Sequence, residues 1–342
     1  MSTRIIKVGI NGFGRIGRAF LKLAVKNPEI EVVAINDLGE INNLAYLLKY
    51  DSAYGPSGLA IAIIGSDLII EGKKIKFLQE KEPAKLPWGQ LGVEIVVEAT
   101  GFFESYEKAR GHLDGGAHKV VVTAPIKGQP VPGVMGGTVL MGINEGNLAH
   151  YQISSNASCT TNSAGPVIQI LNETIGVEKA MLSTIHAYTA TQRLVDSPDT
   201  KDWRRGRAAA HNIIPSTTGA ALAVTEVISD LKGKFDGIAL RVPVITGSIS
   251  DITFIAKRKT SVEEVNKILT QAATEPRWEG IFSVSEEELV SSDIINNPFA
   301  SIVDLKFTKV VDGNLIKVLA WYDNEMGYVQ TLIKHVIKTA NS

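Results

Sequence analysis

Cysteine and long apolar runs are both scarce in this sequence. The chain of 342 residues contains one cysteine, Cys159, which excludes a disulfide bond within the chain. No apolar run approaches the roughly 18 residues that a membrane-spanning helix needs. The residues after Met1 lead into a strand and a glycine-rich turn, unlike the apolar segment of a signal peptide. We therefore expect a cytoplasmic protein that does not bind membranes.

An excess of charge of either sign is also absent. The formal net charge is −1 at pH 7, so the chain as a whole does not attract nucleic acid or anionic lipid. A composition of 44% hydrophobic and 21% charged residues is typical of a globular protein. Because the length exceeds what one ordinary hydrophobic core organises, we expect two domains.

The first informative pattern is a strand, a tight turn and a helix near the start of the chain. A β-branched run at 4–10 is followed by glycines and then by helical periodicity at 15–26. Gly12, Gly14 and Gly17 have the G-x-G-x-x-G spacing. The first glycine permits the turn, the second admits a pyrophosphate, and the third lets the helix pack on the strand. This pattern predicts a dinucleotide site.

Further strands extend this first domain. The strand predicted at 31–35 ends before Asp37, where a carboxylate would bind a ribose 2′-hydroxyl or would simply be a turn residue. The apolar runs at 94–99 and 119–123 are typical of buried parallel strands. The stretch 126–141 is rich in glycine and proline and looks like a linker. We predict a Rossmann-type doubly wound parallel sheet, which belongs to the α/β class.

Cys159 lies among small polar residues, in the run S-S-N-A-S-C-T-T-N at 154–162. A helix is predicted at 163–173 with Pro166 in its first turn, which would place the cysteine at a helix N-terminus. There the helix dipole favours a thiolate, the nucleophilic form. A lone cysteine is also often a buried, inert thiol, and the polar setting favours the reactive interpretation.

A thiolate needs a base or cation beside it, and the chain has six histidines. His186 is the best candidate because it ends a strand predicted at 180–187, directly after the cysteine helix. On its own it is also compatible with a structural role. The other five are expected in loops or on solvated helix faces: His112, His118, His150, His211 and His335.

Arg241 lies inside the apolar strand predicted at 237–244, where an unpaired guanidinium would be costly. Either an internal carboxylate pairs with it, or it binds a phosphate or carboxylate of a substrate. The hydroxyls of Thr189 and Thr218 would suit a bound phosphate.

A long irregular segment at 188–216 carries a cluster of arginines, and irregular segments of that length are usually functional. Arg204, Arg205 and Arg207 form this cluster, which most often means a solvated face. Nucleic-acid binding as the primary role is disfavoured, because the chain is neutral and aromatic residues are not interleaved with the arginines.

The second half of the chain mixes helices with strands that turn back on themselves. The hairpin signal Asp312-Gly313 joins alternating runs at 301–311 and 315–322. Ser261 and Glu264 form a capping box at the start of another helix. We therefore predict an α+β second domain with a largely antiparallel sheet.

Six ordered motifs resemble those of one known family: N-G-F-G-R-I-G-R, S-N-A-S-C-T-T-N, H-A-Y-T-A-T-Q, I-I-P-S-T-T-G-A-A, R-V-P and W-Y-D-N-E-M-G-Y. By these motifs the chain resembles the phosphorylating glyceraldehyde-3-phosphate dehydrogenases over essentially its whole length. The resemblance implies a homotetramer that uses NAD. It also implies an NAD-binding domain of 1–158 and 324–342 and a catalytic domain of 159–323.

The resemblance assigns roles to individual positions. Cys159 matches the family's nucleophile and His186 its base, and no metal is involved. The expected cofactor contacts are Gly12, Gly14, Arg15, Ile16, Asp37, Lys81, Thr123 and Asn324, the last holding the nicotinamide carboxamide. The expected contacts to the phosphate of the substrate are Thr189 and Arg241, and those to inorganic phosphate are Ser158, Thr160, Thr218 and Gly219. Arg204 completes the expected substrate and phosphate site.

These roles imply oxidation of glyceraldehyde 3-phosphate through a cysteine thioester, which inorganic phosphate then attacks. One alternative is an erythrose-4-phosphate dehydrogenase, which would hydrolyse the thioester with water. The run S-T-T-G at 216–219 indicates an intact phosphate site and argues against this alternative. A second role in binding RNA or surface partners stays open.

Overall fold

The computed structural model describes residues 4–200 and 202–342, which divide into two compact units. Unit 1 extends to Ala157 and takes up Val329–Ser342 at the end of the chain, and unit 2 is Ser158–Tyr328. The functional boundaries expected from the sequence lie after residue 158 and before residue 324, and they stay a prediction.

Unit 1 alternates strands with helices along the chain. Its elements are β1 (Ile6–Asn11), α1 (Arg15–Ala24), β2 (Ile30–Asn36), α2 (Ile41–Lys49), β3 (Tyr50–Asp51), β4 (Gly55–Pro56), β5 (Ile61–Ile64), β6 (Asp67–Ile70), β7 (Lys73–Leu78), β8 (Ile95–Glu98), α3 (Tyr106–Asp114), β9 (Lys119–Val122), β10 (Gly136–Thr138) and β11 (Ile153–Ser155).

The main sheet of unit 1 has the order β10-β11-β9-β8-β1-β2-β7-β6-β5. Every pair from β10 to β7 is parallel, and β7, β6 and β5 form an antiparallel meander at the edge. Strands β1, β8 and β9 are buried on both faces, which explains their continuous apolar sequence. The Rossmann-type fold class is confirmed.

Two features of unit 1 differ from the sequence interpretation. Strand β7 was not expected, because its run K-K-I-K-F-L is rich in lysine; Ile75 and Phe77 are nevertheless buried at alternate positions. The linker interpretation of 126–141 is wrong. Part of this stretch is β10, which pairs with β11, and Met135 N donates to Gln152 Oε1 at 2.7 Å.

Unit 2 contains the remaining elements, and its last helix continues into unit 1. They are α4 (Cys159–Thr174), β12 (Val177–Ala187), β13 (Ile214–Thr217), α5 (Ala220–Val227), β14 (Phe235–Val242), β15 (Ser248–Ala256), α6 (Val262–Ala272), β16 (Phe282–Ser285), β17 (Ser301–Val311), β18 (Leu315–Tyr322) and α7 (Met326–Ala340).

The sheet of unit 2 has the order β13-β14-β12-β15-β18-β17-β16. Only the pairs β12–β14 and β16–β17 run parallel in the described ranges, so the largely antiparallel sheet is confirmed. Strands β13 and β16 were not expected. Asp312 and Gly313, with φ of 49° and 76°, make the predicted turn between β17 and β18.

Helix α4 starts earlier than the sequence predicted. It begins at Cys159, and the Ser158 hydroxyl caps it by accepting a hydrogen bond from Thr161 N at 3.1 Å. Pro166 therefore lies inside the helix rather than in its first turn. The predicted place of Cys159 at a helix N-terminus is nevertheless correct.

Candidate active site

Cys159 and His186 meet in unit 2. The Sγ of Cys159, the first residue of α4, lies 3.3 Å from Nε2 of His186, near the end of β12. His186 is buried, whereas Cys159 remains partly exposed. A thiol in contact with a buried imidazole is the arrangement of a nucleophile with its base.

The other ring nitrogen of His186 has two competing neighbours. Nδ1 lies 2.6 Å from the carbonyl oxygen of Ala187 and 2.7 Å from Nη1 of Arg241. A protonated Nδ1 donates to the carbonyl, whereas an unprotonated Nδ1 accepts from the guanidinium. The two contacts therefore belong to two tautomers of the ring. Only the tautomer that donates to Ala187 leaves an unprotonated Nε2 facing Cys159.

Burial acts against a charge on both members of the pair. Burial, followed by the charge of Arg241, lowers the pKa of His186 to about 3, and the hydrogen bond to Ala187 acts in the opposite direction. Burial raises the pKa of the Cys159 thiol, although Arg241 and the hydrogen bonds of Thr160 lower it. This direction is opposite to the one expected from the helix N-terminus. A base beside the sulfur therefore favours formation of the nucleophilic thiolate.

No carboxylate in the described part of the chain pairs with Arg241. Its Nη1 also donates to the Ala187 carbonyl at 3.1 Å, and burial lowers the pKa of the guanidinium. Arg205, held by the Ser216 hydroxyl at 2.9 Å, adds a second positive charge that acts on Arg241. The anionic forms of Cys159 and Tyr322 act in the opposite direction and favour the charged guanidinium. Binding of a substrate phosphate or carboxylate by Arg241 stays a prediction.

The other residues expected at the phosphate sites have different surroundings. The Thr189 hydroxyl lies 3.0 Å from that of Thr191, in the segment after β12. Thr218 Oγ1 accepts from Ala220 N at 3.2 Å, and Gly219 precedes α5 with open space around it. The hydroxyl of Thr160 is buried against that of Tyr322, at 2.9 Å, so its backbone N–H is the group that could reach a phosphate.

Arg204 and Arg205 differ in a way that the sequence did not reveal. Arg204 is exposed, and its backbone N–H donates to Asp202 Oδ1 at 3.0 Å. Arg205, by contrast, is the member of the cluster whose charge acts on Arg241. The run R-R-G-R offers no signal that separates neighbouring arginines, because Arg205 differs through its contacts with Ser216 at 2.9 Å and with Asp202 at 3.5 Å.

The glycine loop of unit 1 fits a dinucleotide. Gly12 has φ of +95°, and a Cβ there would lie 2.6 Å from Thr100 N. A Cβ at Gly17 would lie 2.1 Å from the Gly12 carbonyl oxygen, which is the close packing of helix on strand that the motif predicts. Gly14 is exposed and has nothing within 4 Å of its Cβ position, so a phosphate has room to approach.

Asp37 directly follows β2, and its carboxylate also binds the glycine loop. Its Oδ2 accepts from Phe13 N at 2.7 Å, and its Oδ1 accepts from Gly39 N at 2.8 Å. The carboxylate is therefore fixed at the carboxyl edge of the parallel sheet. The other expected contacts follow neighbouring elements: Arg15 and Ile16 begin α1, Lys81 follows β7, and Thr123 follows β9.

Asn324 lies in unit 2, where a hydroxyl orients its amide. Its Oδ1 accepts from Ser248 Oγ at 2.9 Å, and the hydroxyl of Thr246 is shared between Asn324 Oδ1 at 3.2 Å and Asp323 Oδ1 at 3.0 Å. With the oxygen occupied, the amide N–H groups remain to donate to a carbonyl group. This orientation suits the expected contact with a carboxamide.

Two histidines expected on solvated surfaces are buried instead. His112 Nδ1 accepts from Trp88 Nε1 at 3.0 Å, and its Nε2 lies 2.9 Å from Glu98 Oε2. His335 lies 2.8 Å from the Ser154 hydroxyl and 3.0 Å from Asn156 Oδ1. These histidines stabilise unit 1, and they leave His186 as the base candidate beside Cys159.

Two family models match the chain, and together they cover more than half of it. One is described as glyceraldehyde 3-phosphate dehydrogenase, NAD binding domain, and matches residues 6–106. The other is the C-terminal domain of the same enzyme and matches residues 158–324. The chain belongs to the glyceraldehyde-3-phosphate dehydrogenase family.

Members of this family from distant organisms are similar over nearly the full length. The chain is 47% identical over 331 residues to glyceraldehyde-3-phosphate dehydrogenase of Geobacillus stearothermophilus, with 96% of both chains covered. It is 48% identical over 336 residues to that of Mycolicibacterium smegmatis, again with 96% of both covered. The chain is 45% identical over 328 residues to glyceraldehyde-3-phosphate dehydrogenase B of Aspergillus oryzae, also with 96% of both chains covered.

Family membership confirms three of the interpretations made from the motifs. The chain is an NAD-dependent oxidoreductase, NAD is its cofactor, and the glycine loop lies in the family's NAD-binding domain. Within residues 4–200 and 202–342, no cluster of His, Cys, Asp and Glu suits a metal ion. No helix in these ranges is both long and apolar enough to cross a bilayer.

Proposed function

We propose that this protein oxidises D-glyceraldehyde 3-phosphate, with NAD and inorganic phosphate, to 1,3-bisphosphoglycerate. The observation that carries the proposal is the contact of 3.3 Å between Cys159 Sγ and His186 Nε2, next to an arginine that needs an anion. Thioester chemistry requires such a nucleophile and base, and a phosphorylated substrate supplies the anion. The family membership supports the same substrates.

The first step joins the aldehyde carbon to Cys159 Sγ. As the sulfur attacks, His186 Nε2 takes the thiol proton while Nδ1–H donates to the Ala187 carbonyl. The resulting alkoxide lies at the N-terminus of α4, where free backbone N–H groups stabilise negative charge. Bound NAD would supply the hydride acceptor needed to convert this adduct into a thioester. The residues that would hold NAD are Gly12, Gly14 and Asp37, and Asn324 would bind the carboxamide of NAD.

Inorganic phosphate then attacks the thioester carbonyl, and the bond to Cys159 Sγ breaks. The acyl phosphate is released, and Cys159 leaves as the thiolate. We assign the inorganic phosphate to Ser158, Thr218, Gly219 and the backbone of Thr160, and the substrate's own phosphate to Thr189 and Arg241. We further propose that Arg205, rather than Arg204, is the second arginine of these sites, because its charge acts on Arg241.

One assay tests the function: NADH formation from glyceraldehyde 3-phosphate with and without inorganic phosphate. We expect steady turnover only with phosphate, and a burst limited to the enzyme concentration without it. Steady turnover without phosphate, accompanied by release of the carboxylic acid, would indicate hydrolysis by water. A preference for erythrose 4-phosphate in the same assay would then identify the alternative enzyme.

Arg241→Leu should raise KM for glyceraldehyde 3-phosphate much more than KM for unphosphorylated glyceraldehyde. The reason is that the guanidinium would form a charge-assisted pair with the phosphate of the first substrate only. Arg207→Leu serves as the control, because Arg207 is exposed and pairs with Asp196 at 2.7 Å. Equal losses for both substrates in Arg241→Leu would make this arginine purely structural.

Wild-type enzyme should prefer NAD to NADP by at least about a hundredfold in kcat/KM. The fixed carboxylate of Asp37 accepts a hydrogen bond from a ribose 2′-hydroxyl and repels a 2′-phosphate. Asp37→Asn keeps the shape, removes the charge and should narrow this preference. Comparable kcat/KM values for the two cofactors in wild-type enzyme would contradict the role of Asp37.

A cytoplasmic location stays a prediction.

We also propose that the protein is a homotetramer. One face of the unit 2 sheet carries exposed apolar residues, among them Met181, Ile238 and Leu315. The register of the strands places all three on the same face. Association of copies would remove this apolar area from water. Light scattering should give four times the chain mass of 36.8 kDa.

A further inference from the structure

The hydroxyl of Tyr322 joins the two elements that carry the nucleophile and the base. It lies 2.9 Å from Thr160 Oγ1 and 2.7 Å from Thr184 Oγ1. Thr160 directly follows Cys159 in the first turn of α4, and Thr184 precedes His186 by two residues in β12. One hydroxyl group therefore connects the helix of the thiol to the strand of the imidazole.

These three hydroxyl groups are shielded from water. Tyr322, Thr160 and Thr184 are 1%, 4% and 0% exposed, so each hydroxyl must find its partner inside the protein. Thr184 Oγ1 also lies 3.5 Å from the carbonyl oxygen of Ile249, which can only accept. When Thr184 donates to this carbonyl, it accepts from the Tyr322 hydroxyl. The Thr160 hydroxyl is in contact with Tyr322 and also hydrogen-bonds the Cys159 sulfur.

The backbone of the sheet does not provide this connection. Strand β15 lies between β12 and β18, so these two strands share no ladder of hydrogen bonds. The Tyr322 side chain crosses that gap, and its ring also meets the ring of His186 nearly at a right angle, with centroids 6.0 Å apart. An edge-to-face contact of this kind restricts the orientation of the imidazole.

We infer that Tyr322 is a positioning residue that sets the distance and angle between Cys159 Sγ and His186 Nε2. It contacts the imidazole edge-on and acts on the sulfur through Thr160. Proton transfer between Sγ and Nε2 requires a short, aligned contact, and small displacements slow such steps strongly. The inference rests on the proposed function only for the roles of Cys159 and His186.

The direct test is Tyr322→Phe, which removes the hydroxyl and keeps the ring. Alkylation of Cys159 by iodoacetamide reports thiol activation without any substrate. We expect its rate at pH 7 to fall about three- to tenfold and its pH profile to move to higher pH. We expect kcat to fall by a similar factor, with unchanged KM for NAD. Thr184→Val should also lower the alkylation rate and kcat, because it removes a partner of the Tyr322 hydroxyl. Thr184 is too deeply buried to touch a ligand, so this loss would not come from weaker binding.

Thr225→Val is the matched control, since the Thr225 hydroxyl is also buried in unit 2 but donates to Leu222 O at 2.8 Å within α5. It should leave the alkylation profile and kcat unchanged. The double variant Tyr322→Phe with Thr184→Val should lose no more than the larger single loss, because both changes break one chain of bonds.

Wild-type alkylation profiles in both Tyr322→Phe and Thr184→Val would overturn the inference, as would fully additive losses in the double variant. If Tyr322→Phe does not fold, the alkylation profile of Thr184→Val alone tests the inference. A wild-type enzyme without dehydrogenase activity would remove the proposed function. The alkylation result would then still decide whether Tyr322 positions the pair.

Discussion

Cys159→Ser is expected to lower kcat by at least about a thousandfold and to leave the dissociation constant of NAD nearly unchanged. The thiol supplies the covalent chemistry, and a serine hydroxyl beside a histidine whose pKa lies near 3 is a much poorer nucleophile. The glycine loop and Asp37, by contrast, belong to unit 1 and are untouched. Initial rates and NAD titration by fluorescence measure the two quantities.

The single cysteine of the chain provides a clean control for this variant. Wild-type enzyme should incorporate one alkyl group per chain and show a burst of NADH without phosphate, whereas Cys159→Ser should show neither. Retained turnover in the variant would remove Cys159 from the mechanism. Loss of NAD binding would mean that the cofactor site itself depends on the thiol.

His186→Asn should lower kcat by roughly 10²- to 10⁴-fold, because the base that takes the thiol proton is lost. We expect a large loss of kcat because burial raises the pKa of the Cys159 thiol, which then depends more strongly on a base. Asparagine retains hydrogen-bonding capacity but accepts no proton at this pH. The kcat of both enzymes should be measured with saturating substrate, NAD and phosphate.

His118→Asn is the matched control, because His118 is exposed in unit 1 and contacts neither Cys159 nor Arg241. It should retain wild-type kcat. The rate of Cys159 alkylation against pH should move to higher pH in His186→Asn only. If the two profiles coincide, the N-terminus of α4 activates the thiol without help from the histidine.

The elements of the candidate site that lie close together in sequence were predictable. Gly12, Gly14 and Gly17 define the turn through their own backbone requirements, and the helical pattern after Cys159 indicated a helix N-terminus. His186 was favoured by its place at a strand end after that helix. Strands β1, β8 and β9 were also predictable, because burial on both faces imposes continuous apolar sequence.

Features that depend on distant neighbours were not predictable. The raised pKa of Cys159 follows from burial by other elements, which overrides the helix N-terminus. Arg205 differs from Arg204 because its guanidinium donates to the hydroxyl of Ser216, which lies 11 residues later in β13. The buried state of His112 depends on Trp88 and Glu98, whose positions beside it are set by the fold. In the sequence, Tyr322 is one residue in the alternating pattern of a hairpin strand, and that pattern does not indicate its contacts with Thr160 and Thr184.

The return of the chain to unit 1 affects how the protein is made. Residues from Val329 onward complete unit 1, where His335 bonds to Ser154 and Asn156 and Lys119 Nζ donates to Thr339 O at 2.9 Å. All of unit 2 is translated before these partners exist. At about 5–20 residues per second, translation of unit 2 takes on the order of ten seconds. During this time unit 1 lacks its last segment, Val329–Ser342. The unit that starts folding first therefore finishes last.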